Sequence, residues 1–235
     1  YFPRRYEDYS QLKPIQSLMY NDVVNDAQRI IIADYLAAKY AITLSANDFH
    51  TMDDVGNGDY DYEVAGIGQA AGGSNHKDAM GTGIVRMWNP NGLANGEFLL
   101  WGHDNATLVS STTTVGLAGV DGTIIKERLV REWRVSEIGG DVGTVSISFD
   151  LSSFPASLGS NLRLLIDRDG DGFGDNDVTP VSGSLIGSTI TFSGVNFQSG
   201  DRFTLGNTDL STPLPIELIN FSAAPKSDNV VLNWS

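Results

Sequence analysis

Four aspartates lie close together in the segment DRDGDGFGD, at Asp167, Asp169, Asp171 and Asp175. Carboxylates this close repel one another unless a cation lies among them. Ca²⁺ binds typically about six to eight oxygen ligands, and alternate aspartates on a glycine-rich loop supply them, with a main-chain carbonyl near the seventh position. Phe173 occupies that position. We therefore predict a Ca²⁺ site whose ligands are the four aspartates and the carbonyl of Phe173.

The flanking sequence differs from that of an EF-hand, which needs a glutamate at the twelfth loop position and a helix on either side. The twelfth residue here is Val178, and the apolar run at 162–166 predicts a strand. A calcium loop carried on a strand is the interpretation we favour. The alternative is a solvated acidic turn kept open by its glycines.

A second acidic stretch surrounds Gly56 and Gly58 but lacks the spacing of metal ligands, so a metal is less favoured there. Its members are Asp53, Asp54, Asp59, Asp61 and Glu63.

Composition narrows the possible partners of the chain. The 235 residues carry a net charge of -14, which argues against nucleic acid, because that partner requires clustered Lys and Arg. Cysteine is absent, so neither disulfides nor thiolate metal sites are available. No run of about eighteen apolar residues is present, so we predict no membrane insertion.

Sequence motifs for cofactor binding and zinc catalysis are weak. The segment 66–71 (GIGQAA) matches a dinucleotide fingerprint, but it continues as Gly-Gly-Ser-Asn instead of opening a helix, so we predict no cofactor site. His50, His76 and His103 lack the spacing of a zinc site and are expected at the surface or in turns.

No pair of carboxylates is singled out for glycoside hydrolysis. Glu127, Glu132 and Glu137 lie near or on one predicted strand, and an ion pair between neighbouring strands explains Glu132 and Arg134 equally well. We therefore predict that the chain is not an enzyme.

One amphipathic helix is predicted near the N-terminus. Asn25 and Gln28 have the spacing of a capping box, and apolar residues then recur at helical intervals through residues 26–41. The predicted apolar stripe consists of Ile31, Ile32, Tyr35, Leu36, Ala38 and Ile42.

Beyond residue 43 short segments rich in β-branched and aromatic residues alternate with turn residues, which predicts a mainly β fold, an antiparallel β-sandwich with one N-terminal amphipathic α-helix. A hairpin is expected between 128–137 and 142–150, around Gly139-Gly140-Asp141. The candidate strands are 62–67, 82–88, 97–102, 128–137, 142–150, 162–167, 188–193 and 202–206.

These elements suggest three parts: residues 1–45, with an N-terminal strand and the helix; 46–210, with the sandwich and the calcium loop; and 211–235. The last part contains a Pro-containing linker and two strands, 216–221 and 230–234, that would begin a following module. Because two strands do not make a domain, the terminal strand could complete a neighbour's sheet and give head-to-tail polymers.

Several segments carry a family resemblance through their order and spacing. They are Asn25 to Leu44, Val64 to Gly68, Phe98 to Gly102, Arg131 to Val135 and Leu214 to Leu218. In these the chain resembles modules of large secreted and surface proteins of Bacteroidetes, which follow or complete a laminin-G-like or concanavalin-like sandwich. In that group the segment resembling LPIELINFSA commonly precedes a type IX secretion sorting region. The resemblance implies an extracellular or cell-surface location, whereas the calcium site is inferred from spacing alone.

The function expected from these observations is a non-catalytic structural or adhesive role, stabilised by Ca²⁺. Its partners would be neighbouring modules of the same precursor or identical subunits. The alternative is a carbohydrate-binding module attached to a glycan-active enzyme. Of the tryptophans Trp88, Trp101, Trp133 and Trp234, Trp88 precedes a turn and is the best candidate to stack on a sugar.

Overall fold

A computed structural model of the chain describes residues 16, 18–111, 117–118, 124–152, 161–173, 180–208, 221–226 and 229–234. One α-helix, α1 (Asp26–Tyr40), precedes two short 3₁₀ helices, Thr51–Asp53 and Val55–Asn57. The strands are β1 (Tyr62–Gln69), β2 (Asn75–His76), β3 (Asp78–Ala79), β4 (Val85–Trp88), β5 (Phe98–His103), β6 (Ser110–Ser111), β7 (Leu117–Ala118), β8 (Ile124–Ile125), β9 (Glu127–Leu129), β10 (Trp133–Ile138), β11 (Val145–Asp150), β12 (Leu162–Asp167), β13 (Val181–Ser182), β14 (Ser184–Ile186), β15 (Thr189–Val195), β16 (Arg202–Asn207), β17 (Phe221–Lys226) and β18 (Asn229–Trp234).

Two antiparallel sheets form a sandwich. The larger sheet has the order β13-β12-β16-β10-β5-β1-β2, with β9 pairing with β16 and β6 with β9, and the smaller has the order β14-β15-β11-β4-β3. Aromatic rings join the two layers, since the ring centroid of Phe149 on β11 lies 5.4 Å from that of Trp133 on β10 and 6.2 Å from that of Phe203 on β16. The predicted fold class is therefore confirmed.

At both edges of the sandwich, a pair of consecutive short strands passes from one sheet to the other. At one end β2 pairs with β1 and β3 pairs with β4, with Lys77 between them. At the other end β13 pairs with β12 and β14 with β15, with Gly183 between them. A Cβ at Gly183 would lie 2.6 Å from the Phe192 ring, so this crossing needs glycine.

Helix α1 packs on the outer face of the larger sheet. Asn25 caps it as predicted, because its side chain accepts from the Gln28 amide and the Gln28 side chain accepts from the Asn25 amide, each at 3.0 Å. Ile31 and Ala38 are buried against the sheet. Ile42 is 51% exposed, in contrast to the predicted stripe, because Ala41 adopts a left-handed conformation that ends the helix.

The predicted hairpin between 128–137 and 142–150 is wrong. β10 pairs with β5 and β16 in the larger sheet, whereas β11 pairs with β4 and β15 in the smaller sheet. Both strands bury apolar residues, and they face each other across the core instead of sharing a ladder. Alternation shows that each strand has one buried face but does not show which strand lies beside it.

The observed strands match the predicted strands to differing degrees. β12 has the predicted bounds, whereas the predicted strand 128–137 is divided into β9 and β10. An N-terminal strand was expected before the helix, but residues 18–20 lie in no helix or strand, and residues 1–15 fall outside the described ranges. The predicted strand 216–221 meets β17 only at Phe221, since 209–220 are also outside those ranges.

Candidate metal centre

Strand β12 carries Asp167 to the edge of the core. Leu162, Leu164, Leu165 and Ile166 are buried along this strand, and Asp167, its last residue, is fully buried as well. The carboxylate therefore enters the protein interior, where a charge is costly unless it is paired and hydrogen-bonded.

Three groups satisfy the Asp167 carboxylate. Its Oδ1 accepts from the Gly170 amide at 2.9 Å, and its Oδ2 accepts from the Gly172 amide at 3.2 Å. The guanidinium of Arg202, directly opposite on β16, forms an ion pair with the same Oδ2. Asp167 thus holds the start of the loop against the sheet without a metal.

Asp169 and Asp171 bring two further carboxylates to this position. Their side chains and that of Asp167 each offer one oxygen, and the three oxygens all lie within 4.8 Å of one another. Both residues are exposed, and the Asp171 amide donates to Asp169 Oδ1 at 3.2 Å. Oxygen donors in such an arrangement suit a hard divalent cation such as Ca²⁺.

The two remaining predicted ligands are the main-chain carbonyl of Phe173 and the side chain of Asp175. Phe173 is described, and its ring is buried with Ile125 and Leu165, so only its main chain remains as a ligand. Asp175 lies outside the described residues. The structure therefore brings together Asp167, Asp169 and Asp171 of the predicted set.

An ion-pair network lies beneath the loop. Glu132 pairs with Arg128 at 3.1 Å and with Arg202 at 3.4 Å. The guanidinium carbons of Arg128 and Arg202 lie 4.9 Å and 6.0 Å from the centroid of the Phe173 ring. Asp167 and Glu132 balance the two arginines in charge, and Phe173 joins the loop to this network by cation–π contact.

A second ion pair joins the start of the loop to the residue before β16. Arg168, between Asp167 and Asp169, pairs with Asp201 at 2.8 Å and donates to the Asn196 carbonyl at 3.1 Å. Asp201 is buried, and this burial raises its pKa despite hydrogen bonding from Gln198 and the charge of Arg168.

The second acidic stretch forms no cluster of three ligands within 4.8 Å among the described residues. Burial, followed by the charges of Asp48 and Asp54, raises the pKa of Asp53 to about 6. Glu63 instead accepts from His103 at 3.0 Å, and this hydrogen bond holds its pKa low.

Sequence reasoning missed a buried polar group on the helix. Asp34 is 1% exposed, and its Oδ1 accepts from the amides of Phe49 and His50 at 2.6 and 2.8 Å. Burial raises its pKa to about 6. Asp34 lies three residues after Ile31 and four before Ala38, so it shares the buried face of the helix with them. This spacing is the sequence signal that could have identified it.

Two of the histidines expected at the surface are buried instead. His50 is 0% exposed, and His103 is 2% exposed. His50 Nε2 lies 2.9 Å from the Tyr60 carbonyl, so this nitrogen carries the proton, and burial lowers the pKa of His50 to about 4. Each of these imidazoles is a hydrogen-bonded group within the core. The positions of the histidines in the sequence do not reveal this burial.

The glutamates and tryptophans weighed for glycan chemistry occupy varied environments. Glu137 accepts from the Val142 amide at 2.9 Å, Glu132 belongs to the ion-pair network, and Glu127 is 9% exposed. Trp101 and Trp133 are buried. Trp88 is half-buried, and the Arg86 guanidinium lies 4.8 Å from its ring centroid.

No helix in the described part of the chain combines the length and the apolar character needed to cross a membrane. No curated protein and no solved structure matches the chain. A family model described as a domain of unknown function, DUF8202, matches residues 28–201, from the first turn of α1 to the residue before β16. Since that match covers more than half of the 235 residues, the chain belongs to the DUF8202 family.

Proposed function

We propose that the chain is a non-catalytic structural or adhesive module of an exported bacterial protein, and that bound Ca²⁺ stiffens it. The observation that carries this function is the meeting of Asp167, Asp169 and Asp171, with one oxygen of each within 4.8 Å of the others. A cation there would join an exposed turn to the buried end of β12. The extracellular location rests on the resemblance to Bacteroidetes surface proteins.

The charges around the loop indicate what each ligand would contribute. Arg202 already compensates Asp167, so that residue is chiefly an anchor. Asp169 and Asp171 lie on the exposed turn, where Ca²⁺ would relieve their mutual repulsion. The carbonyl of Phe173 and the side chain of Asp175 would complete the ligand set. With one anchor already satisfied, we expect an affinity near that of extracellular modules, with a Kd of about 10⁻⁴–10⁻³ M.

Calorimetric titration tests this site directly. We expect Ca²⁺ to bind the wild-type chain and binding to be lost in the double variant Asp169→Asn, Asp171→Asn. Asp59→Asn is the matched control, because Asp59 is also exposed and its backbone has a φ of 65°, which asparagine tolerates. Unchanged Ca²⁺ binding in the double variant would refute the assignment.

Assembly with neighbours is the second part of the proposed role. Long free strand edges promote association, and the edge strands of the sandwich, β2, β3, β13 and β14, contain only two or three residues each. β17 and β18 have six residues each and pair with one another in a separate two-stranded sheet. Deletion of residues 216–235 is expected to abolish self-association, measured by light scattering; unchanged association would exclude strand addition through this hairpin.

Carbohydrate binding is the alternative function, favoured by Trp88. This residue ends β4 near the edge of the smaller sheet and is only half-buried. A glycan array with wild-type chain and the Trp88→Ala variant separates the two functions. Reproducible hits that disappear in the variant would favour a lectin, whereas no hits would favour the structural role.

A further inference from the structure

The register of the C-terminal hairpin determines which backbone groups face outward. Lys226 pairs with Asn229 and is separated from it by two residues, so this closing pair must be a hydrogen-bonded pair. Hydrogen-bonded and non-hydrogen-bonded pairs then alternate along the ladder. The pairs whose N–H and C=O groups face outward are therefore Phe221–Trp234, Ala223–Leu232 and Pro225–Val230.

The outward position of Pro225 agrees with this register, since proline has no N–H to give to β18. It also makes the two free edges unequal. Proline on the outer edge of β17 removes a donor and protects that edge from pairing. Val230, Leu232 and Trp234, on the outer edge of β18, all retain their N–H groups. β18 is therefore the edge that can accept another strand.

A two-stranded hairpin needs a further partner, because such a hairpin on its own is marginally stable. The open edge of β18 is a place where a third strand can add.

We propose that the open edge of β18 pairs with β18 of a second copy of this chain. The edge strands of the sandwich are too short to match six residues, and the edge of β17 is blocked by Pro225. The remaining edge of equal length among the described strands is β18 itself. Two copies related by a two-fold axis pair antiparallel, which gives a four-stranded sheet in the order β17-β18-β18-β17.

Symmetry sets the register of this interface. With Leu232 opposite Leu232 of the partner, Val230 of each copy lies opposite Trp234 of the other. Each of these three pairs can exchange two N–H···O=C hydrogen bonds. The assembly closes as a dimer, because both open edges are used, so head-to-tail polymers are not expected. This two-fold dimer rests on the proposed assembly by strand addition and is independent of Ca²⁺ binding.

Proline substitutions distinguish the two edges of the hairpin. We expect a dimer by multi-angle light scattering for the wild-type chain, for Val230→Thr, which retains the N–H, and for Ala223→Pro, which alters only the outer edge of β17. Val230→Pro is expected to halve the mass. A monomeric wild-type chain, a higher polymer, or a dimer that survives Val230→Pro would overturn the two-fold arrangement.

Cross-linking tests the register. The chain has no cysteine, so Leu232→Cys introduces a single thiol. Opposite residues of a hydrogen-bonded antiparallel pair have Cα atoms about 5.5 Å apart, which suits a disulfide. Oxidation should convert Leu232→Cys to covalent dimers and leave Ala223→Cys largely monomeric on denaturing gels; equal cross-linking of both would contradict the register. Dimers that persist in chelator would show that this interface is independent of Ca²⁺. A wild-type chain that dimerises but shows no Ca²⁺ binding by calorimetry would contradict only the calcium site.

Discussion

Among single residues, Asp167 lies between positive groups on one hand and two further carboxylates on the other. Arg202 and two loop amides satisfy its carboxylate within the protein, whereas Asp169 and Asp171 place two more carboxylates beside it, where the three could hold a cation. The loop is consequently held in place at its first residue even without a cation. A bound cation would add its stabilisation at the exposed residues that follow.

Replacement of Asp167 should therefore destabilise the fold in the presence of chelator. Asp167→Asn breaks the buried ion pair with Arg202 and leaves that guanidinium paired with Glu132 alone. Breaking a buried pair costs about 3 kcal/mol, and the remaining partner should reduce this cost to about 2 kcal/mol. Asp169→Asn, on the exposed turn, should change the free energy of unfolding by less than about 0.5 kcal/mol under the same conditions. Urea denaturation in EDTA measures both, and equal effects would contradict the anchoring role of Asp167.

His50 should make stability depend on pH. Its pKa is about 4 in the fold and 6.5 in the unfolded chain, so acidification through this window protonates only the unfolded state and destabilises the fold. Asp34, which accepts from the His50 amide, acts in the opposite direction, because its pKa of about 6 exceeds the ordinary 3.8. The two effects partly cancel in the wild-type chain.

Comparison with His50→Gln isolates the histidine. The stability advantage of wild type over this variant should shrink by about 3 kcal/mol between pH 7 and pH 4, since one pKa unit corresponds to about 1.4 kcal/mol. Chemical denaturation at a series of pH values measures the difference. An advantage independent of pH would show that His50 remains neutral, or titrates equally, in both states.

At the scale of elements, glycines on β1 allow close packing on β5. Gly66 and Gly68 belong to the segment that resembles a dinucleotide fingerprint, but they lie within a strand. A Cβ at Gly68 would overlap the ring of Phe98, which is buried with Leu100 between the sheet and α1. The same two residues that suggest a nucleotide loop thus explain how the helix layer approaches the sheet.

Gly68→Ala should cost about 2 kcal/mol, because the added methyl forces the Phe98 ring out of its packed position. Gly72→Ala is the matched control, since a Cβ there meets nothing within 4 Å. Denaturation midpoints of the two variants measure the difference. A neutral Gly68→Ala would show that β1 and β5 can separate at little cost.

At the scale of the whole molecule, closed sandwich edges and an acidic surface both oppose nonspecific association. Short crossing strands close each end of the sandwich, and the net charge of -14 makes copies repel. The hairpin strands β17 and β18, with six residues each, are longer than the edge strands of the sandwich, which have two or three. Association is therefore expected to be specific to that hairpin.

Ca²⁺ should stabilise the whole fold through β12. At a Ca²⁺ concentration about a hundredfold above Kd, the free energy of unfolding should rise by about 2.7 kcal/mol. Thermal denaturation in Ca²⁺ and in Mg²⁺ at equal ionic strength measures this, because both salts screen the net charge but Mg²⁺ demands a more rigid octahedral site. An equal rise in both salts would indicate screening instead of a specific site.

The sequence alone was sufficient for features that depend on neighbouring residues. The capping box at Asn25 and the bounds of β12 follow from local hydrogen bonding and from the succession of apolar side chains, and the meeting of Asp167, Asp169 and Asp171 follows from their closeness along the chain. These interactions act within a few residues, so the pattern contains them. The predicted fold class followed from the succession of short strands.

Tertiary structure decided everything that depends on which elements meet. β10 and β11 entered different sheets, His50 became a core residue, and Arg202 came to lie opposite Asp167 from a distant part of the sequence. A strand with one apolar face pairs equally well with many neighbours, and only the packing of the complete core selects among them. For that reason the local sequence around Asp167 could not predict that Arg202 is its partner.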